Sequence, residues 1–491
     1  MDMSKGDWAA RLAGWFDSRL GLSTPLFRPV PEYALNPFYW LGALAVVAFV
    51  IQGVTGLILM LYYIPSPAEA YSSTVYIFQN VSNGRFLETI HLYTAYAMIM
   101  LAFMHLMRGY FVSVHKKPRE AMWVVGMLMG FVTLGFGFTG YLLPWTVISK
   151  SGTDVGVGMV SALPQPISSL LTFLIVGGGG DAAELLRFFD LHVVVLPAVL
   201  LILLAAKMYM LEAHGIAEPT GGVSNGNKPR LFPIFPDVTV YLLELSFFFG
   251  AGMLLISAIF PLSLPPAYSA QAAQGYIPQP DWYFLWIYQV LKISVFEGSS
   301  GLAAALSAIT VVFLALTFLP FIDRWKGREI SRRPAYVTIG AVFVAEVLLL
   351  SYWGLVTPGA IIPAEQAALV IGGTALLVVA GSIVLYRLLY SRAKGRLATV
   401  KSSDINSSEL RSGLAFTGLL GLGALWIGSL LNGAVGLMVG DFSLLSILDV
   451  VGSALGLGLV VMGTMFLIYR LDLRSGTIRR RVKLLELGWR G

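Results

Sequence analysis

The chain has 491 residues, 57% of them hydrophobic and 12% charged, with a formal net charge of +6 and a mean hydropathy of +0.76. Those proportions exclude a soluble globular protein of this size and imply an all-α, polytopic membrane protein. With no cysteine in the sequence, disulfides, iron–sulfur ligation by this chain and covalent cofactor attachment through Cys-x-x-Cys-His are excluded, so any metal must be held by His, Lys, Met or carboxylate.

The predicted elements run as follows. Residues 1–38 form an N-terminal surface segment. It carries Lys5, Arg11, Arg19 and Arg28 but no compact apolar core or small-residue cleavage site, so no signal peptide is expected. Within it, residues 7–20 alternate apolar and charged positions with helical period, as in a helix lying on a membrane surface. About ten transmembrane helices follow, near 39–63, 88–112, 122–146, 190–212, 238–260, 300–320, 336–356, 366–388, 412–434 and 447–470. Each is long enough for a ~30 Å hydrocarbon core. The domain organisation read from them is a four-helix bundle at 39–235, further helices at 236–390, a polar linker at 391–411, and two additional helices with a basic tail at 412–491. The last two helices read as lipid-facing or partner-packing.

Lys and Arg concentrate in alternate loops, at 113–120, 213–230, 323–333 and 390–411, and at both chain ends. The positive-inside rule then places both termini in the cytoplasm of a multi-pass plasma-membrane protein. The opposite loops near 150–185 and 262–285 are long and rich in Gly, Pro and Ser, where sites tend to lie.

Chemistry concentrates on the second span. His91 and His105 are fourteen residues apart, which on an α-helix is about 21 Å along the axis and about 40° in azimuth. A lone span histidine is ordinarily a packed core residue. Two on one face, near opposite sides of a bilayer, suit two stacked metal centres, because intramembrane ionisable groups are costly and usually functional. Gly42 and Gly56 on the first span, and Gly126 and Gly140 on the third, repeat the same fourteen-residue spacing. Glycine in a span commonly serves close helix packing. The threefold recurrence instead suggests flat macrocycles pressed where no side chain can stand.

The fourth span supplies His192. A second ligand about 21 Å further along falls near Lys207, fifteen residues on and about 60° out of phase, with Pro197 between them able to loosen a turn. Taken alone, Lys207 reads as a snorkelling cation at the end of a span. His214, twenty-two residues on, lies about 33 Å along the helix, and Met208 and Met210 point elsewhere round it. Three arrangements stay open: Lys207 as ligand, a five-coordinate centre, or a locally unwound helix that lets His214 reach back.

These residues resemble the cytochrome b subunit of quinol-oxidising cytochrome bc complexes, of a bacterial or archaeal type with extra C-terminal spans, over roughly residues 10–390. Arg108 three residues after His105, the Gly-Tyr-x-Leu-Pro-Trp run at 140–145 and Arg187 five residues before His192 carry the resemblance further. So do Tyr288 and Gln279-Pro280-Asp281-Trp282-Tyr283-Phe284, which looks like the family's Pro-Glu-Trp-Tyr signature with Asp for Glu. The sequence departs from the pattern in four places. Lys207 stands for a histidine, Glu88 stands where an arginine usually pairs a propionate, the 140–145 run continues as Thr146-Val-Ile-Ser-Lys-Ser, and the last two spans have no counterpart.

The resemblance implies two non-covalent haems, b-type or with a modified ring, ligated by His91 with His192 and by His105 with Lys207. Gly42, Gly56, Gly126, Gly140, Arg108 and Arg187 would line them. It implies quinol oxidation at the outer face by Asp281, Tyr283 and Tyr288, although Asp281 also suits a helix N-cap. One electron would pass to a Rieske iron–sulfur protein. The other would cross the membrane to reduce quinone, with Asp237 and Lys228 bordering that side as proton donors or as ordinary loop charges. The implied setting is a respiratory chain that builds a proton gradient. Its implied partners are a cytochrome or terminal oxidase, membrane lipid and a second copy of the chain, and no nucleic acid. A proton-coupled transporter and a haem-free membrane anchor are the competing readings.

Overall fold

The computed structural model describes residues 28–218, 229–325, 327–328 and 332–396. The expected surface helix at 7–20, the last two spans and Lys228 lie outside the described residues. Eight helices among the described residues are long and apolar enough to cross a membrane: Leu41–Met60, Gly84–Phe111, Glu120–Leu142, Gly180–His214, Ile234–Ile259, Gly298–Thr317, Pro334–Val356 and Ala364–Val384. They are numbered first to eighth below. All eight correspond to expected spans. The largest difference is in the fourth, which begins ten residues earlier because Gly180–Asp190 continues into it. The eighth helix runs on to Arg396, into the stretch expected as linker.

The described residues divide into two compact units, one holding those of 28–40 and 229–248, the other those of 41–218 and 249–396. In the smaller unit, Val30–Pro31 pairs antiparallel with Leu231–Phe232, and Glu32 N–H donates to the Arg230 carbonyl at 2.8 Å. In the larger unit the first span packs on the second, the second on the third, and the third on the fourth. Val50, Val54, Leu57 and Leu61 form an exposed stripe down the first span, the face that lipid would cover. Gly42 and Gly56 turn inward instead.

The third span ends where Leu142, Trp145, Leu185 and Phe188 bury one another around Ala70. Thr146 then opens a helix over Val147–Ser161 through a capping box. Its hydroxyl accepts from Ser149 N–H at 3.1 Å, and its own N–H donates to the Ser149 hydroxyl at 2.9 Å. The departure from the family pattern at 146–149 is therefore a helix start. Trp145 O accepts from Tyr268 N–H at 3.0 Å, which holds the 262–285 loop against the end of the third span.

Candidate functional site

The four candidate ligands each meet one of the four spaced glycines. A Cβ added at Gly42 would lie 3.1 Å from His105 Cε1, one at Gly56 3.2 Å from His91 Cε1, one at Gly140 2.6 Å from His192 Cε1, and one at Gly126 2.9 Å from Lys207 Nζ. A methyl group at Gly140 would overlap the ring opposite, one at Gly42 or Gly56 would crowd its ring, and one at Gly126 would push the Lys207 amine aside. The glycines thus leave room for these four side chains.

His91 and His192 form one pair. Two imidazoles on opposite sides of one metal ion, each bonded at about 2.0–2.1 Å with its ring centre roughly 1 Å behind the nitrogen, would have centres about 6 Å apart. The two ring centres are 6.3 Å apart, the separation such a pair would have. Their other nitrogens are fixed. Thr55 donates its single hydroxyl proton to Ile51 O at 2.7 Å, leaving its oxygen to accept from His91 Nδ1, 2.8 Å away. Thr139 donates to Gly135 O at 2.8 Å and accepts from His192 Nδ1 at 3.1 Å. Both rings therefore carry their proton on Nδ1 and keep a bare lone pair on Nε2, the form a metal ligand needs. Each threonine directly precedes its glycine, as Thr55-Gly56 and Thr139-Gly140. That repeated dipeptide was the signal available to sequence reasoning, which overlooked it. Gln52 also donates to the His91 carbonyl, at 2.5 Å.

The pair of His105 and Lys207 is built differently. His105 Nδ1 is buried with no hydrogen-bond partner, and Lys207 and Arg108 both lie within electrostatic reach of the ring. The fifteen-residue interval on the fourth span is reconciled by its backbone. Leu191–Val195 forms a π-helical turn, with Leu196 N–H donating to the Leu191 carbonyl. A π turn takes up one extra residue, so Lys207 follows His192 as if fourteen residues away, matching the second span. Pro197, two residues past the turn, lacks the N–H an uninterrupted α-helix would use. Beyond it the helix is unbroken from Leu196 to His214. His214 stays exposed at the end, its carbonyl accepting from Arg119 at 3.1 Å. Met208 and Tyr209 are exposed on the outer surface of the helix.

Arg187 is turned toward the outer loop. Its guanidinium donates to Phe173 O at 2.9 Å and lies 5.3 Å from the Phe173 ring centre. Glu88 lies inside the larger unit, close enough to Tyr63 to act on it electrostatically.

The Pro-Asp-Trp-Tyr loop brings a second group together. Asp281 caps the turn at Trp282–Phe284, its Oδ1 accepting from Trp282 N–H at 2.8 Å. Tyr96 of the second span packs beside it, its ring 6.1 Å from that of Trp282 and its hydroxyl close enough to act on the carboxyl. Burial pushes the Asp281 carboxyl up to about 6, against the opposing pull of the Trp282 N–H and the Tyr96 hydroxyl. The Tyr283 hydroxyl presses on the third span, 2.7 Å from where a Gly137 Cβ would stand. Tyr141 reaches the same loop, its hydroxyl 3.4 Å from Gln279 O. Tyr288 joins another set of contacts: its hydroxyl accepts from Gly359 N–H at 3.1 Å, and Lys292 Nζ sits 4.8 Å from its ring centre. Asp237 lies in the first turn of Ile234–Val238.

Sequence reasoning passed over Tyr96, Tyr141 and Glu346. Both carboxyl oxygens of Glu346, within the seventh span, are buried without a hydrogen-bond partner. An ionisable residue in mid-span was the available signal.

Comparison with known proteins identifies the family. The family model described as Cytochrome b/b6/petB matches residues 28–215, and that described as Cytochrome b(C-terminal)/b6/petD matches residues 277–372. Over 352 residues the chain is 34% identical to a cytochrome bc complex cytochrome b subunit from Chlorobaculum thiosulfatiphilum, spanning 70% of this chain and 80% of that one. It is 40% identical over 192 residues to the cytochrome b6 of Heliobacterium mobile, 39% of this chain and 90% of the relative. A solved chain from a hyperthermophilic respiratory Complex III superposes with a TM-score of 0.61 at 25% identity, covering 77% of this chain and 96% of that chain. With two family models together covering more than half its length, and a 34%-identical relative matched over 80% of that relative's length, the chain belongs to the cytochrome b family.

Proposed function

We propose that this cytochrome b holds two haems in its first four spans, oxidises quinol at the outer membrane face and passes electrons inward to a quinone-reducing site. The observation that carries the reading is the one-to-one facing of Gly42, Gly56, Gly126 and Gly140 with His105, His91, Lys207 and His192. Four cleared positions opposite four donor side chains support two flat groups stacked across the membrane. His91 and His192 would hold the outer haem through Nε2, with Thr55 and Thr139 setting their tautomers. His105 and Lys207 would hold the inner one. When bound, the haems supply one-electron redox centres between the two membrane faces.

The chain's own residues do the rest. Asp281 sits in an aromatic loop, and burial keeps its carboxyl near the pH at which a general base is effective. It accepts a proton from the quinol. Tyr283 and Tyr141 bound the space beside it, and Tyr288 with Lys292 braces the far side of the loop. The second electron acceptor must be another chain, since this sequence has no cysteine to hold a cluster. A Rieske iron–sulfur protein fits that role, and the Chlorobaculum relative is named as a subunit of a cytochrome bc complex. Further respiratory subunits and a second copy of the chain complete the proposed assembly in a plasma membrane, with both termini cytoplasmic and a proton gradient as its output. The proposed organisation keeps the surface segment at 1–38, the haem bundle at 39–235, the quinol-site helices at 236–390, the linker at 391–411 and two extra spans to 491.

A reduced-minus-oxidised visible spectrum of the purified protein tests the reading. Two haem α-bands with separate midpoint potentials are expected. No haem band would support a haem-free anchor, and a single band would leave Lys207 without a metal.

A further inference from the structure

We infer that Tyr96 positions the Asp281 carboxyl for proton transfer, so that the quinol site depends on the second span as well as on the Pro-Asp-Trp-Tyr loop. The inference rests on the reading of Asp281 as the proton acceptor.

An aspartate has one methylene between backbone and carboxyl, so its carboxyl cannot travel far and its partners must be brought to it. Two are. Trp282 N–H reaches it from the adjoining turn at 2.8 Å, and the Tyr96 hydroxyl reaches it from the second span. Tyr96 is itself held on both sides. Its ring lies edge-on to Trp282, with centres 6.1 Å apart and planes at 80°, and tilted against Tyr283 at 6.5 Å. The phenol thus has little freedom to turn from the carboxyl.

The other titratable groups near Asp281 are Tyr141 from the third span and Tyr283 from its own turn. Both are neutral phenols. Among the described residues no lysine or arginine acts on the carboxyl, so hydrogen bonds alone favour its charged form against burial. A phenol that donates to a carboxylate strengthens the acid. Removing that donor makes the carboxyl hold its proton to higher pH, and the rise of quinol oxidation with pH moves the same way.

The test is the pH profile of quinol oxidation by the intact complex in native membranes. The substrate is menadiol or a decyl-substituted benzoquinol, whichever the unmodified protein oxidises faster. In Tyr96→Phe the acidic limb should shift about one unit toward alkaline pH, roughly a tenfold loss at pH 5, while the plateau above pH 8 is retained. In an Asp281→Asn background the same change should have no further effect. A lost ring contact alone would lower the rate equally at every pH, and that outcome, or an unshifted profile, overturns the inference about Tyr96 while leaving Asp281 its role. A normal acidic limb in Asp281→Asn sinks the proton-acceptor reading and the inference with it. If Tyr96→Phe assembles without its haem bands, Tyr96→Leu, which also lacks the hydroxyl but packs more flexibly, is judged by the same shift.

Discussion

A lysine amine binds a metal only after shedding its proton, so Lys207 is the most unusual of the four proposed donors. Its place opposite Gly126 parallels those of His91, His105 and His192 opposite their glycines. Lys207→Ala should therefore abolish one of two low-spin haem signals in the electron paramagnetic resonance spectrum of the oxidised protein, whereas His214→Ala should leave both. The reverse pattern would assign the ligand to His214. Asp281 gives the second residue-scale prediction. Burial raises its carboxyl to about 6, so the base is available above that pH and lost below it. Quinol oxidation should climb as pH passes 6. Asp281→Asn should remove that climb and slow the plateau about a hundredfold, the lower range of general-base contributions, with both haem bands still present. Stopped-flow reduction of the haems between pH 5 and 8 measures both effects.

Among the elements, the fourth span shows how a backbone irregularity sets the register of the proposed donor Lys207. Without the π turn at Leu191–Val195, Lys207 would be rotated by about one further residue, 100°, around the helix. The connections on the basic side rely on charge instead. Asp323 is buried among His115, Lys116 and Arg333, with His115 Nε2 at 2.8 Å and Lys116 Nζ at 2.7 Å. Burial alone would raise its carboxyl, but hydrogen bonds from Lys116, His115 and Arg333 outweigh that and hold it at about 2. His115 moves down because burial exceeds its pairing with Asp323, so the imidazole is neutral. A depressed carboxyl contributes stability in full above its unfolded value and loses it as pH falls toward the folded one. The window here is from about 4 down to about 2. Asp323→Asn leaves two buried cations facing a neutral amide, and breaking such a pair costs about 3–5 kcal/mol. Thermal unfolding in detergent at pH 7, followed by the visible spectrum, should show a lowered midpoint. The difference from the unmodified protein should shrink between pH 4 and pH 3.

For the whole molecule, the alternation of loop charge predicts orientation. Reporter fusions at residues 115, 225, 328 and 400 should read cytoplasmic, and fusions at 160 and 270 should read outside. A consistent inversion would reverse the assigned faces and move the quinol-oxidising loop to the cytoplasmic side. The spans themselves follow from sequence because an apolar run long enough to cross a bilayer is a local property. The intervals on the second span are legible for the same reason: helical rise and twist convert fourteen residues directly into depth and azimuth. The paired glycines announced the same repeat. Other features needed the packed chain. The π turn depends on how Pro197 and its neighbours settle against the third span. The tautomers of His91 and His192 depend on hydroxyls from separate helices, Thr55 and Thr139. Tyr96 and Asp281 are 185 residues apart, and no periodicity connects them. Depth along a helix is written in residue number, whereas partnership between helices is decided only when their faces meet.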